Sequence, residues 1–170
     1  MRTLVIDSAT EACSVALFQD DALVAGELRL LGRGHAEQLV PMIAALPDHR
    51  RAERGAVALG PGSFTGIRVG LAAASALAFA WRAELLGYPT LALVAAMARA
   101  RHGLGGLAAA MTGGHGEWFV QAFDAGGMPA APLASLTPDT ASQTVAEHDI
   151  AGSQAEALVA LRGHGAAHVL

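Results

Sequence analysis

Apolar positions open the chain in short runs divided by polar punctuation. Thr3-Leu4-Val5-Ile6 reads as a buried strand ending at Asp7, and Ser14-Val15-Ala16-Leu17-Phe18 as a second. Gln19-Asp20-Asp21 supplies a hairpin turn, and Ala22 to Leu28 a third strand. Three strands with tight connections predict an antiparallel meander. The period then changes. Leu39, Met42, Ile43 and Leu46 recur at helical spacing, which predicts a helix over 35–46 that Pro47 stops. Ala56-Val57-Ala58-Leu59 predicts another strand, and a long helix follows from Phe64 to Glu84. Tyr88-Pro89-Thr90 breaks the pattern, and Leu91 to Arg101 predicts a further short helix. This order gives a mixed sheet covered by helices, an α/β class fold.

The glycines from Gly103 to Gly106 mark a boundary between a first lobe, 1–103, and a second, 104–170. In the second, Leu107–Met111 and Glu117–Phe123 predict two strands joined by Thr112-Gly113-Gly114-His115-Gly116. Residues 125–138 read as loop, Gln154–Leu161 as a short helix and 163–170 as a tail. The pattern here is weaker, and the segment reads as too short for a complete domain.

The stretch Gly60-Pro61-Gly62-Ser63-Phe64-Thr65-Gly66 stands between a strand and a helix, where phosphate loops occur. It is neither named loop. A Walker loop needs GxxxxGK[ST], whereas Gly60 and Gly66 are one residue too far apart and no lysine follows. GxGxxG fails because position 65 is Thr. Two readings stay open: a tight turn with Ser63 or Thr65 capping the helix, or an anion held at the helix start. The helix itself is more informative. From Val69 to Trp81 the one polar side chain is Ser75, and a helix apolar all round is covered on more than one side. Gly70, Ala72, Ala73, Ala74, Ala76 and Ala78 would let another helix approach, which predicts burial against a second chain or a second copy.

Composition narrows the chemistry. Of 170 residues, 53% are apolar and 15% charged, so the chain reads as globular. All 11 cationic residues are arginine, which excludes any mechanism built on a lysine amine. A formal charge of −4 argues against a broad basic nucleic-acid surface. The lone Cys13 excludes an internal disulfide framework and fits a reducing compartment. The run 69–81 is too short to span a bilayer, and no signal peptide opens the chain, so a soluble cytoplasmic protein is expected.

The candidate reactive groups are few. Asp7 and Glu11 could position a hydrated metal near a nucleotide, or cap the turn through Asx hydrogen bonds. His35-Ala36-Glu37 is not HExxH, and His35 reads as a helix start. His164 and His168 stand four apart with no third ligand in view. Cys13 with His35 suits a nucleophile pair on paper, but a cysteine among Ala12, Val15 and Leu17 reads as a buried hydrophobe. No triad emerges.

Three stretches taken together carry a resemblance: LVIDSATEACSVAL at the start, HAEQLVPMI at 35–43 and GPGSFTGIRVGLAAASALA at 60–78. They resemble the TsaB (YeaZ) family motifs ID[TS]S-x-x-x-x-S-V-A-L, H[SA]E-x-L-x-P and GPGSFTG[LI]R[IV]G, in that order. GEWFVQAFD at 116–124 is similar to a later segment, GEVYxAxF. The resemblance implies the actin-like ATPase superfamily fold (ASKHA, ribonuclease H-like) with a mixed sheet and a reduced second lobe. It implies an accessory role in making N6-threonylcarbamoyladenosine at tRNA position 37. The implied partners are a TsaD-like transferase, which the chain binds and activates, and a TsaE-like ATPase in the larger complex, with a homodimer when alone. The tRNA is then contacted mainly through the complex.

No cofactor of the chain's own is implied, apart from ATP or ADP at or near the partner junction, where Asp7 and Glu11 would mark a vestigial nucleotide site. The implied partner surface takes in His35, Glu37, Leu39, Gly60, Pro61, Gly62, Ser63, Phe64, Thr65, Gly66, Arg68, Val69, Leu71, Ala74 and Ala78. On this reading the chain is not catalytic by itself and lacks the metal site of TsaD. The chain departs from the family where Asp-Ala-Arg is usual, since Thr112-Gly113-Gly114 stands there. The alternative from another class is an autonomous actin-like ATPase or phosphotransferase using Asp7 and Glu11. A third, a metallopeptidase, predicts bound zinc.

Overall fold

A computed structural model describes residues 1–32, 34–47 and 51–170. Their packing divides into two units, 1–89 and 90–170. The first opens with β1 (Arg2–Asp7), β2 (Ala12–Gln19) and β3 (Ala22–Leu30), the expected meander. Helix α1 (His35–Ala45), β4 (Arg54–Ala58), α2 (Phe64–Trp81) and β5 (Glu84–Tyr88) complete it. The sheet order is β3-β2-β1-β4-β5, with β1, β4 and β5 parallel and the meander antiparallel. Alternation along β1 and β2 puts Leu4, Ile6, Cys13, Val15 and Leu17 on one face, where Leu39, Met42 and Ile43 of α1 and Ala74 of α2 close the core.

β5 is a strand that the sequence pattern concealed. The long helix ends at Trp81 rather than Glu84, because Arg82 turns left-handed (φ 54°) and its N–H caps the carbonyls of Ala78 and Phe79. Helix ends of this kind normally carry glycine, so an arginine in the position gives no stop signal.

The second unit contains α3 (Thr90–His102), β6 (Leu107–Thr112), β7 (Trp118–Phe123), β8 (Ala134–Leu136), α4 (Pro138–Thr144), β9 (Asp149–Ala151), α5 (Ala155–Arg162) and β10 (Ala166–His168). Its order, β10-β9-β6-β7-β8, repeats that of the first sheet strand for strand. β6, β7 and β8 form the meander, and β6, β9 and β10 are parallel. The expectation of an incomplete lobe is thereby corrected: a reduced unit still closes a five-stranded sheet. The division also falls at Pro89 instead of after residue 103. Leu91, Ala95 and Ala98 of α3 pack with Leu107, Ala109, Met111 and Phe123, so α3 belongs to the second core. The central strand β6 is buried from Leu107 to Met111, as the middle of a covered sheet must be.

Candidate functional site

The Gly60–Gly66 loop is shaped by what it passes. Ser63 caps α2, its hydroxyl accepting from the Gly66 N–H at 3.2 Å, while the Ser63 N–H donates to the Ala9 carbonyl at 2.7 Å. Ser8, buried in the turn after β1, donates through Oγ to the Gly66 carbonyl at 2.8 Å. The glycines make this approach possible. A Cβ at Gly66 would stand 1.9 Å from the Ser8 carbonyl oxygen, and one at Gly62 1.9 Å from that of Ala9. A Cβ at Gly70 would meet Ser8 Oγ at 2.4 Å. Loop and helix start are fastened to the β1–β2 turn, and Ser63 is the capping residue.

This settles the orientation of α2. Gly66, Gly70 and Ala74, spaced by four, face inward, and Ala74 is only 4% exposed. The opposite face holds Phe64 (71% exposed), Arg68, Leu71 (39%), Ala72, Ser75, Ala76 and Phe79 (89%). The Arg68 guanidinium lies 3.4 Å over the Phe64 ring, a cation–π pair one turn apart. By length and mean hydropathy, 1.4, α2 could cross a membrane, although the run 69–81 alone was expected to be too short. Its glycine face is instead packed on its own sheet.

The expected partner surface divides accordingly. Phe64, Thr65, Arg68 and Leu71 are exposed along α2, with Ser63 just before it and Glu37 on α1. Pro61, Gly62, Val69 and Ala78 are half-buried. Leu39, Gly60, Gly66 and Ala74 lie in the chain's own interior, so a partner cannot reach them. His35 is buried too: its Nε2 lies 2.8 Å from the Thr10 carbonyl and ties α1 to the β1–β2 turn. Phe79, the most exposed large apolar residue on α2, was missed. Its signal was present, an aromatic ring in an alanine-rich helix eight residues from Leu71.

An open cleft of about 440 Å³ runs beside the helix starts, lined by Gly32, Gly34, His35, Ala36, Glu37, Ser63 and Thr65. It brings the second and third motifs to one wall of the first unit.

Asp7 sits at the carboxyl end of β1. Its Oδ1 accepts from the Ala9 N–H at 3.0 Å, an Asx turn, and its Oδ2 accepts from the Tyr88 hydroxyl at 3.1 Å. Burial holds this carboxyl above its usual range, and the two donors offset only part of the rise. The Tyr88 phenol is pushed up by burial and by the Asp7 charge. Glu11 is exposed in the following turn. The pairing with the chain's one tyrosine was invisible in the sequence, since β5 was not expected to reach this edge.

Cys13 is fully buried in the core, and burial followed by the Asp7 charge pushes its thiol up, away from nucleophilic duty. His168 does not join His164. Its Nε2 faces Asp149 Oδ1 at 2.8 Å, and its ring lies against that of His102, centroids 4.7 Å apart and planes tilted by 41°. Among the described residues no group of three potential metal ligands forms.

Comparison with known proteins gives the family. The family model described as TsaD, tRNA N6-adenosine threonylcarbamoyltransferase, matches residues 29–145. The chain is 37% identical over 125 residues to the tRNA threonylcarbamoyladenosine biosynthesis protein TsaB of Escherichia coli, covering 69% of this chain and 52% of that protein. It is 28% identical over 109 residues to TsaB of Bacillus subtilis, covering 61% and 48%. The chain therefore spans about half the length of the curated relatives it matches. YeaZ from Pseudomonas aeruginosa superposes with a TM-score of 0.77 at 30% identity, covering 89% of this chain and 75% of that one. An uncharacterised P. aeruginosa protein described as similar to peptidase YeaZ reaches 0.83 at 26%, covering 99% and 83%. A Bacteroides thetaiotaomicron protein with an actin-like ATPase fold reaches 0.51 at 10% identity, covering 99% and 90%, which supports the fold alone. With the second and third motifs on one wall of its first unit and an actin-like topology in both units, the chain belongs to the TsaB (YeaZ) family, within the group described by the threonylcarbamoyltransferase model.

Proposed function

We propose that this chain is a non-catalytic subunit for N6-threonylcarbamoyladenosine modification of tRNA, pairing with a TsaD-like transferase through the outer face of α2. One observation carries the reading. In a protein whose relatives are named for that pathway, α2 turns Phe64, Leu71 and Phe79 to solvent while Gly66, Gly70 and Ala74 face inward. Exposed apolar side chains strung along one face of a helix mark an association surface. Pairing would favour the competent arrangement of the transferase through differential affinity for its states. A TsaE-like ATPase completes the proposed assembly, with ATP or ADP at or near the partner junction, in the cytoplasm.

Light-scattering chromatography of the chain mixed with the TsaD-like protein of the same organism tests this. The wild type is expected to co-elute with it, and Phe79→Asp, which touches no buried contact, is expected to elute apart while keeping its circular dichroism. Unchanged co-elution of the variant would remove α2 from the interface. Failure of the wild type to pair, with TsaE and nucleotide present, would remove the partner role.

The autonomous ATPase reading fares less well on geometry. Both Asp7 oxygens already accept hydrogen bonds, and Glu11 shares none of them. Micromolar Mg-ATP binding lost in Asp7→Ala would revive it.

A further inference from the structure

The outer face of α2 carries a single charge. Along Phe64–Trp81 the only ionisable side chain is Arg68, and the helix contains neither aspartate nor glutamate. Arg68 is exposed. It stands one turn from Phe64 and one turn from Leu71, and Ser75 and Phe79 continue the same stripe. The charge therefore sits in the middle of the apolar face and not at its margin. Its guanidinium rests 3.4 Å over the Phe64 ring, and no carboxylate among the described residues pairs with it.

Covering this face has different consequences for different occupants. A cation taken out of water needs a counter-charge, or its desolvation offsets what the apolar contact gains. A second copy brings another α2, which offers Arg68 no acid and adds a second unmatched guanidinium. A partner with a carboxylate at that point meets the need directly. A guanidinium resting on a ring still presents its N–H fork, and a carboxylate fits the fork in a bidentate pair. The ring contact also holds the side chain near one arrangement, which lowers the entropy lost on pairing.

We propose that Arg68 selects the partner. The surface that docks on α2 presents a carboxylate to this guanidinium, set among apolar side chains that meet Phe64, Leu71 and Phe79, while the unmatched arginine disfavours the homodimer. This inference names the chemistry of the pairing proposed above and rests on it.

Arg68→Gln removes the charge and keeps a polar side chain on an exposed position, so circular dichroism is expected to be unchanged. Titration calorimetry against the TsaD-like protein at several salt concentrations is the test. The variant is expected to raise Kd roughly tenfold or more, and to lose the weakening by salt expected of the wild type. Light scattering of the variant alone is expected to move the other way, with a tighter homodimer, because no charge is then desolvated. Arg68→Glu is expected to elute apart from the partner. Wild-type affinity in both variants would overturn the proposal. So would weaker pairing with unchanged salt dependence, which would give Arg68 a neutral acceptor. A homodimer weakened in Arg68→Gln would also overturn it, by placing the carboxylate on a second copy. Phe79→Asp keeps the two readings apart. If it loses the partner while Arg68→Gln binds at wild-type strength, α2 remains the interface and this inference alone falls. A wild type that does not pair removes both.

Discussion

At the scale of single residues, the first unit concentrates its constraints around the β1–β2 turn. Gly66 is one of the two tightest, with Gly62, and the Ser8 carbonyl oxygen stands 1.9 Å from where its Cβ would be. That oxygen belongs to backbone and cannot swing aside, so α2 or the turn has to move. Gly66→Ala is expected to cost about 3 kcal/mol, the upper range for overpacking, read as a lower midpoint in urea unfolding. Asp7 gives a prediction with the opposite sign. Its folded carboxyl is held above the ordinary value, about 4, chiefly by burial. A raised folded value means the protonated form is the better bound. The associated stability is complete below the ordinary value and is lost as pH rises through the folded one. Asp7→Asn keeps an acceptor for Ala9 and removes the charge. It should therefore raise Tm at neutral pH and flatten the decline between acid and neutral solution. A lower Tm for the variant at neutral pH would show that the carboxylate stabilises the fold.

Helices and strands differ in how much of themselves they write into the sequence. The meander, α1, β4, α3, β6, β7 and α5 all follow from periodicity, because each is long enough to repeat its pattern. The strands β8, β9 and β10 have three residues each, too few to show a period. α4 is almost wholly polar, yet Thr137 caps it and Pro138 opens it, a start signal that outweighs the missing apolar stripe. At α2 the apolar run revealed that the helix is special but not which way it faces. Small residues can serve a partner helix or a close backbone, and the second use holds for Gly66, Gly70 and Ala74. The informative substitution on this helix is therefore at Phe79, because Ala74 is a core position. At the element scale, α1 depends on His35 in place of a side-chain cap, since its N-cap is Gly34. Removing the bond to Thr10 in His35→Ala should cost about 1–2 kcal/mol. Hydrogen exchange should then show amides of α1 losing protection before those of β1.

For the molecule as a whole, the outer face of α2 sets a competition. Exposed rings at Phe64 and Phe79, with Leu71 between them, leave apolar area in water, and the chain alone can cover it with a second copy of the same face. An isologous contact of this kind places α2 against its own symmetry mate, so Phe79 meets the same patch from both sides. We expect the chain alone to elute at twice its monomer mass at high micromolar concentration and to dissociate on dilution, because a single helix face buries modest area. Phe79→Asp should be monomeric at every concentration, since dimerisation would desolvate two carboxylates. A TsaD-like partner using this surface must displace the second copy, and linkage fixes the consequence. Apparent affinity for the partner should fall as the total concentration of this chain rises through the homodimer Kd. Titration calorimetry at two concentrations of the chain reads this directly. An affinity independent of concentration, together with a persistent homodimer, would place the two contacts on different surfaces.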